Sequence, residues 1–221
     1  MTGPFRRRVG ASVAAAVMIA ATVVGCSDDP AAVGDAPDAA VDVAAPPAEV
    51  TWRPYQGIEV PYSDVDGPTA DTSSAAPTGY SATPQGAVLA AIQGQARLAL
   101  APDTAWATVT RTLVAPGDGR DAYAIARSAA SITDAADPAT TAAFTGFRVS
   151  SYDDTRAVVD VATTMPGGQL TAVPVTVLRT TGDWKIALPA PTGAEDDPTA
   201  PTPTDPIPLP SMDGFTAFSA P

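Results

Sequence analysis

Between residues 83 and 131 the apolar positions recur with helical spacing, and this pattern predicts three helices. Leu89, Ile92 and Ala96 are three or four residues apart, so they share one helix face. Thr83-Pro84, which precedes them, is typical of an N-cap residue followed by proline at the first helical position. Two further helices are expected after Pro102, one with the stripe Trp106, Val109, Leu113 and Val114, and one from Arg120 to about Ser131.

After Pro138 the period of the apolar positions changes from helical spacing to two, which indicates strands. Phe147 and Val149 alternate with polar residues, a turn follows at 152–155, and residues 156–164 alternate again. Residues 169–179 form the longest strand candidate, and Pro174 inside it predicts a bulge or an edge position. The last strand carries Trp184 and Ile186 on one face. Helices followed by an antiparallel meander predict an α+β fold with the helices packed on one face of the sheet.

The segments on either side of this region have a different composition. Residues 26–49 are rich in Ala, Asp and Pro and contain no aromatic residue, so we expect a disordered stalk. Residues 50–79 place large apolar groups at short intervals and predict an extended arm docked on the globular domain of residues 80–190. Residues 191–221 read as a Pro-rich, acidic, extended tail. Phe215 and Phe218 near its end are expected to lie against the domain.

The first 25 residues have the pattern of an export signal. Arg6-Arg7-Arg8 is followed by an apolar run from Val9 to Val24, which is shorter than the ~20 residues that a spanning helix needs. The run ends in Val23-Val24-Gly25-Cys26, which resembles a bacterial lipobox. This resemblance implies cleavage after Gly25 and attachment of lipid to the Cys26 sulfur. The chain is therefore expected on the extracytoplasmic face of the cell membrane as a lipid-anchored protein, with the membrane as one partner.

Composition excludes several classes of function. The chain has 24 acidic and 12 basic residues, a net charge of -12, no histidine and one cysteine. An acidic chain without a basic stripe is not expected to bind nucleic acid. The absence of histidine removes imidazole-based catalysis and imidazole metal ligands. The middle of the chain, residues 80–190, has eight basic and nine acidic residues and predicts a balanced globular surface, whereas both flanks are acidic. We expect no enzyme activity, no cofactor and no metal.

Several short motifs resemble those of a family of actinobacterial exported or membrane-tethered proteins that carries a domain of unknown function. They are Gly79-Tyr80-x-x-Thr83-Pro84-Gln85-Gly86-Ala87, Gly117-x-Gly119-Arg120, Gly146-Phe147-Arg148-Val149 and Gly182-Asp183-Trp184-Lys185. The last motif is also similar to the final strand of nuclear-transport-factor-like cone folds, which include domains of VirB-type secretion subunits. The resemblance implies a curved antiparallel sheet in a cystatin-like or cone-like arrangement. No catalytic set of those enzymes can be carried over.

The candidate site residues have two interpretations. Trp106, Tyr123 and Trp184 either line a ligand cavity inside the cone or pack in an ordinary core. Asp160 and Tyr123 are the one pair suited to proton transfer, and such a role requires burial. Asp153-Asp154 lies in a turn, where paired carboxylates are usually solvated.

Two functions follow from these observations. The first is a non-catalytic, lipid-anchored envelope protein that acts as a scaffold or accessory subunit with a protein partner, in a conjugation or secretion assembly. The alternative is a lipoprotein that binds a small apolar ligand in a cone-shaped cavity. A cavity above ~300 Å³ lined by Trp and Tyr favours the alternative, and a filled core favours the scaffold.

Overall fold

The structure, a computed structural model, describes residues 41–191 and 206–221. The expected signal segment, Cys26 and the first part of the stalk lie outside the described residues, as does the segment 192–205. The described residues belong to a compact unit that extends from Ala40 to Pro221.

The chain begins with an antiparallel hairpin formed by β1 (Val50–Tyr55) and β2 (Ile58–Ser63). Three helices follow: α1 (Pro84–Leu100), α2 (Trp106–Leu113) and α3 (Asp118–Ser128). The predicted N-cap of α1 is confirmed, because Thr83 Oγ1 accepts a hydrogen bond from the Gly86 amide at 3.1 Å. The arm predicted for residues 50–79 thus contains a hairpin, and its Val60 and Tyr62 are buried in the main core.

A six-stranded antiparallel sheet follows the helices. Its strands are β3 (Ala143–Tyr152), β4 (Arg156–Thr164), β5 (Leu170–Thr180), β6 (Asp183–Ile186), β7 (Ile207–Pro208) and β8 (Thr216–Ala217). The order is β6-β5-β4-β3-β8, and β7 pairs with β5. Pro174 lies between the part of β5 that pairs with β7 and the part that pairs with β6, so it occupies a local edge as predicted. The fold is therefore α+β.

Helix α1 packs across one face of the sheet, and the main core fills the space between them. Leu89 and Ile92 of α1 are fully buried with Phe147, Val159 and Val161 of the sheet. The helix approaches β6 closely at Gly94, where a Cβ atom would collide with the Ile186 side chain. A second, smaller cluster lies beside it, formed by Ala76, Ala101, Val109 and Leu113.

Both flanks contribute to the fold, which corrects the prediction of disordered flanks for the residues described. Residues 206–221 pair with β5 through β7 and with β3 through β8, so they span the sheet from one edge to the other. Phe218 is buried against Trp52 and Phe147, with ring centroids 5.1 and 5.8 Å away, as the sequence predicts. Short apolar segments that complete a sheet edge in this way remove unpaired backbone groups from solvent.

The last part of the predicted stalk is also held by hydrogen bonds. The Ala48 amide donates to Asp66 Oδ2 at 2.8 Å, and Gln85 Nε2 of α1 donates to the carbonyls of Asp42 and Ala45. The carbonyl of Ala44 accepts a hydrogen bond from the Thr216 hydroxyl at 2.8 Å. Residues 42–48 are therefore attached to both the helix and the C-terminal segment.

Candidate functional site

Trp184 lies in the main core, between α1 and the sheet. Only 2% of its surface is exposed, and its indole Nε1 donates a hydrogen bond to the Ser81 carbonyl at 2.9 Å. The Tyr152 ring packs against it at a centroid distance of 6.1 Å. It shares the core with Leu89 and Ile92 of α1, as the helical and strand patterns predict. Its surroundings are those of a packed structural tryptophan.

Trp106 and Tyr123 lie outside the main core that contains Trp184. Trp106 packs against the second cluster and lines a shallow groove of about 350 Å³ between α2 and α3. The Arg127 guanidinium lies 5.7 Å from the Trp106 ring. Tyr123 donates its hydroxyl proton to the Leu98 carbonyl at 2.7 Å, and partial burial raises its pKa. None of the cavities that we describe is lined by all three aromatic residues.

The structure does not bring Asp160 and Tyr123 together. Asp160 projects from β4 and accepts hydrogen bonds from the Arg148 guanidinium at 2.7 and 3.0 Å and from the Ser150 hydroxyl. Arg148 in turn stacks on the Phe215 ring at 4.6 Å. Asp160 is thus engaged in an ion pair next to the C-terminal segment, whereas Tyr123 lies on α3.

The paired aspartates of the β3–β4 turn have a local structural role. Asp153 Oδ1 accepts hydrogen bonds from the amides of Thr155 and Arg156 and from the Thr155 hydroxyl, and these bonds lower its pKa. In the part of the chain that the structure describes, no group of three or more His, Cys, Asp or Glu side chains is arranged to hold a metal ion. Cys26, the expected lipidation site, lies outside the described residues.

Sequence reasoning missed a buried arginine, because it assigned the charges of residues 80–190 to the surface. Arg97 of α1 is only 1% exposed. Its Nε donates to Gln93 Oε1 at 3.0 Å, one terminal nitrogen donates to the Ala75 carbonyl at 2.8 Å, and the other donates to the Tyr62 hydroxyl at 2.8 Å. The Tyr55 ring lies 4.3 Å from the guanidinium carbon. Arg97 therefore joins both strands of the hairpin to α1.

The charge of Arg97 is balanced by dipoles. Among the described residues, no carboxylate lies within ion-pair distance of its guanidinium. The hydroxyls of Tyr55 and Tyr80 are buried nearby without hydrogen-bond partners. Burial raises the pKa of both hydroxyls, and the positive charge of Arg97 opposes that rise. A side chain of this kind is visible in sequence only as an arginine on the apolar face of α1, four residues after Gln93.

Two further concave features lie at the rim of the fold, near the hairpin tip. A cleft of about 570 Å³ is bordered by the hairpin tip, by residues 138–145 and by residues 219–221. A smaller recess of about 250 Å³ lies between the second half of α1 and the ends of β4 and β5. The two share Ile58, Thr141, Ala142 and Phe144, so they are neighbours. We call them the mouth and the recess, and together the rim crevice.

The hairpin tip borders the mouth because the turn at Gln56-Gly57 is tied to the loop before β3. The Ala136 amide donates to the Gln56 carbonyl at 3.0 Å. Gly57 has φ +87°, and a Cβ atom at this position would collide with the Ala136 backbone. Glycine is required there both for its backbone conformation and for the close approach of the loop.

None of the described helices is long and apolar enough to cross a membrane.

Comparison with known proteins places the chain in a family. The family model described as "Domain of unknown function (DUF8175)" matches residues 14–217. No curated protein and no solved structure matches the chain. The chain belongs to the DUF8175 family, and the match covers the hairpin, the three helices and all six strands of the sheet, up to Ala217 at the end of β8.

Proposed function

We propose that this member of the family is a non-catalytic, lipid-anchored envelope protein that acts as a scaffold or accessory subunit of a protein assembly. The anchor is the lipidated Cys26, and the domain faces away from the cytoplasm. The proposal includes a cone-like arrangement of α1 on the sheet and an assembly of the conjugation or secretion type. These finer points rest on the sequence motifs that resemble exported proteins and secretion subunits.

The observation that carries the proposal is the filled core between α1 and the sheet. The side chains that would line an open cone are at most 2% exposed and belong to one buried cluster. They are Leu89, Ile92, Phe147 and Trp184. Close packing of these side chains supports a structural role for the space between α1 and the sheet. The polar pair considered for catalysis is separated, with Asp160 bound to Arg148 and Tyr123 bound to a carbonyl. Both observations support a role that uses the surfaces of the domain.

The attachment of residues 42–48 supports an anchored scaffold. Gln85 and Asp66 bind this segment, so the chain leaves the domain at a fixed point near the N-terminus of α1. Between Cys26 and Asp42 an extended chain spans at most about 3.3–3.6 Å per residue, or roughly 50–60 Å. The domain is therefore expected to stay within that distance of the membrane surface and to contact partners there.

The rim crevice favours a second candidate function, the binding of a small apolar ligand. Its mouth falls within the size range of small-molecule sites, and Trp52, Ile58 and Phe144 give it apolar walls. This site differs from the cone interior that the sequence predicts, because it lies at the hairpin tip.

The anchor is tested by Cys26→Ser, with Ser27→Ala as the matched control. We expect the wild type and the control to enter the detergent phase in a phase-partitioning assay, since two or three acyl chains anchor a protein stably. Cys26→Ser is expected in the aqueous phase with its signal segment retained, because the sulfur that accepts the lipid is missing. A Cys26→Ser protein that still partitions into detergent at the mature mass would contradict the proposal.

A further inference from the structure

The mouth of the rim crevice has aromatic and apolar walls. Trp52, Ile58 and Phe144 are among its lining residues. The Trp52 ring packs against Phe218 at a centroid distance of 5.1 Å and is only partly buried, so Trp52 borders the cleft as well as the core. The cleft of about 570 Å³ lies within the size range of small-molecule sites. Its walls therefore suit the apolar body of a small ligand.

One carboxylate stands beside Trp52 in this cleft. Glu59 is exposed on β2 and lines the mouth. The register of the hairpin pairs Trp52 with Pro61, and Glu59 is two residues from Pro61 on the same strand. Trp52 and Glu59 are therefore diagonal neighbours on one face of the hairpin, close enough for long side chains to meet. No described residue gives the Glu59 side chain an ion-pair or hydrogen-bond partner.

The charge of Glu59 sets the preference of the mouth. Among the described residues that line the cleft, none is a lysine or an arginine. Arg53 alternates with Trp52 along β1 and so lies on the opposite face of the hairpin, where its guanidinium stacks on the Tyr62 ring at 4.3 Å. The chain as a whole carries a net charge of -12, which favours the approach of a cation. The mouth therefore favours a positive group over a neutral or negative one.

We propose that the mouth binds a small organic cation, an ammonium group on an aliphatic body. The ammonium group lies between the Glu59 carboxylate and the Trp52 ring, where an ion pair and a cation–π contact act on the same charge. The aliphatic body extends along Ile58 and Phe144, which line both the mouth and the recess. The inference rests on the second candidate function and names its ligand class, and the scaffold role does not depend on it.

The test compares three probes of similar length at neutral pH: octylammonium, 1-octanol and octanoate, whose head groups are positive, neutral and negative. The protein is the full mature chain with Cys26→Ser, so that neither lipid nor detergent competes for the probes. Binding is followed by NMR, through the indole signal of Trp52 and the amide signals of Ile58 and Ala142. We expect octylammonium to bind about five- to ten-fold more tightly than 1-octanol, the gain of one exposed ion pair and one cation–π contact. Octanoate is expected to bind more weakly than the alcohol.

Glu59→Gln tests whether the preference for the cation is local. The variant removes the charge and keeps the shape of the side chain, so the preference for octylammonium over 1-octanol should fall by about two- to five-fold. Asp64→Asn is the matched control, because Asp64 is exposed in the turn after β2 and outside the crevice lining. It changes the net charge by the same amount and should keep the preference of the wild type.

A second pair of variants locates the site. Ala143→Phe places a ring at an exposed position that lines the mouth and should abolish binding of octylammonium and 1-octanol. Ala126→Phe, at an exposed position of α3 outside the crevice lining, is the matched control and should bind as the wild type does.

Equal binding of octylammonium and 1-octanol to the wild type overturns the proposal and leaves an apolar site in place. The proposal also fails if Glu59→Gln keeps the full preference, or if Asp64→Asn reduces it as much, since the attraction then comes from the whole chain. Absence of saturable shifts with all three probes, or binding that survives Ala143→Phe, removes the second candidate function as well. Melting temperatures of all variants are recorded, so that the shifts are read only from folded protein. None of these outcomes alters the detergent partitioning that tests the anchor.

Discussion

Replacing Arg97 with methionine removes the side chain that ties the hairpin to α1 while keeping much of its length. The substitution takes away three hydrogen bonds and leaves the Ala75 carbonyl, the Tyr62 hydroxyl and Gln93 Oε1 without their donor. It also removes the cation above the Tyr55 ring. We expect Arg97→Met to disturb the hairpin first, because Tyr55 and Tyr62 lie on its two strands.

The magnitude follows from the burial of these groups. Each buried acceptor that loses its donor costs about 1–3 kcal/mol. The loss is partly offset, because the unfavourable desolvation of a buried guanidinium is also removed. We expect a net decrease of about 2–5 kcal/mol in the free energy of unfolding, a large share of the ~5–15 kcal/mol typical of a domain. Arg97→Lys keeps the charge but lacks the planar fork that reaches three acceptors, so it should also destabilise the fold.

The assay is equilibrium unfolding in urea, followed by the fluorescence of the tryptophans and by circular dichroism. Arg111→Met on α2 is the matched control, because Arg111 is exposed and makes only a long contact of 3.4 Å with Thr108. Its free energy of unfolding should stay within about 0.5 kcal/mol of the wild type. If Arg97→Met also stays within that range, the guanidinium does not hold the hairpin and the reasoning is refuted.

Two further predictions concern the core and the effect of acid. Trp184→Ala should lower the free energy of unfolding by about 3–5 kcal/mol, and Lys185→Ala by no more than about 0.5 kcal/mol; equal melting temperatures for Trp184→Ala and the wild type would show that the indole is not packed. Hydrogen bonds from the Ile132 amide, Ser131 and Arg127 hold the pKa of Asp103 at about 2, below its usual 3.8. The stability from this carboxylate is therefore present above pH 4 and is lost as the pH falls through 2, so Asp103→Asn should lower the melting temperature at pH 7 and make no difference below pH 2. A constant difference across that range would contradict the assignment.

The helices and the meander could be predicted because their signals are local. Thr83-Pro84 begins α1 where the capping pattern places it, and the alternation around Phe147 and Val149 marks β3. Pro174 predicts a bulge or an edge position, and it lies in a gap of the pairing on one side of β5. These features depend on neighbours a few residues apart, which sequence patterns record well.

The features that were missed depend on contacts between distant segments. Arg97 is an ordinary helix residue in sequence, and its burial results from the hairpin and the Ala75 loop that cover it. The pairing of β8 with β3 was hidden because Thr216-Ala217 is too short to show alternation. Trp106 and Trp184 looked equivalent as candidate cavity residues, and only the tertiary packing assigns them to different clusters.

The measurement that tests the central claim most directly is position-specific photo-crosslinking in cells. A photoreactive residue is placed separately at Val65, Ile125 and Ile207, which are exposed by 54%, 74% and 55%. They lie in the turn after β2, on α3 and on β7. A scaffold predicts a protein adduct of one discrete mass from some of these positions and not from others, and its loss when Cys26→Ser releases the domain from the membrane. Absence of any protein adduct at all three positions, or the same set of adducts with and without the anchor, would contradict the account.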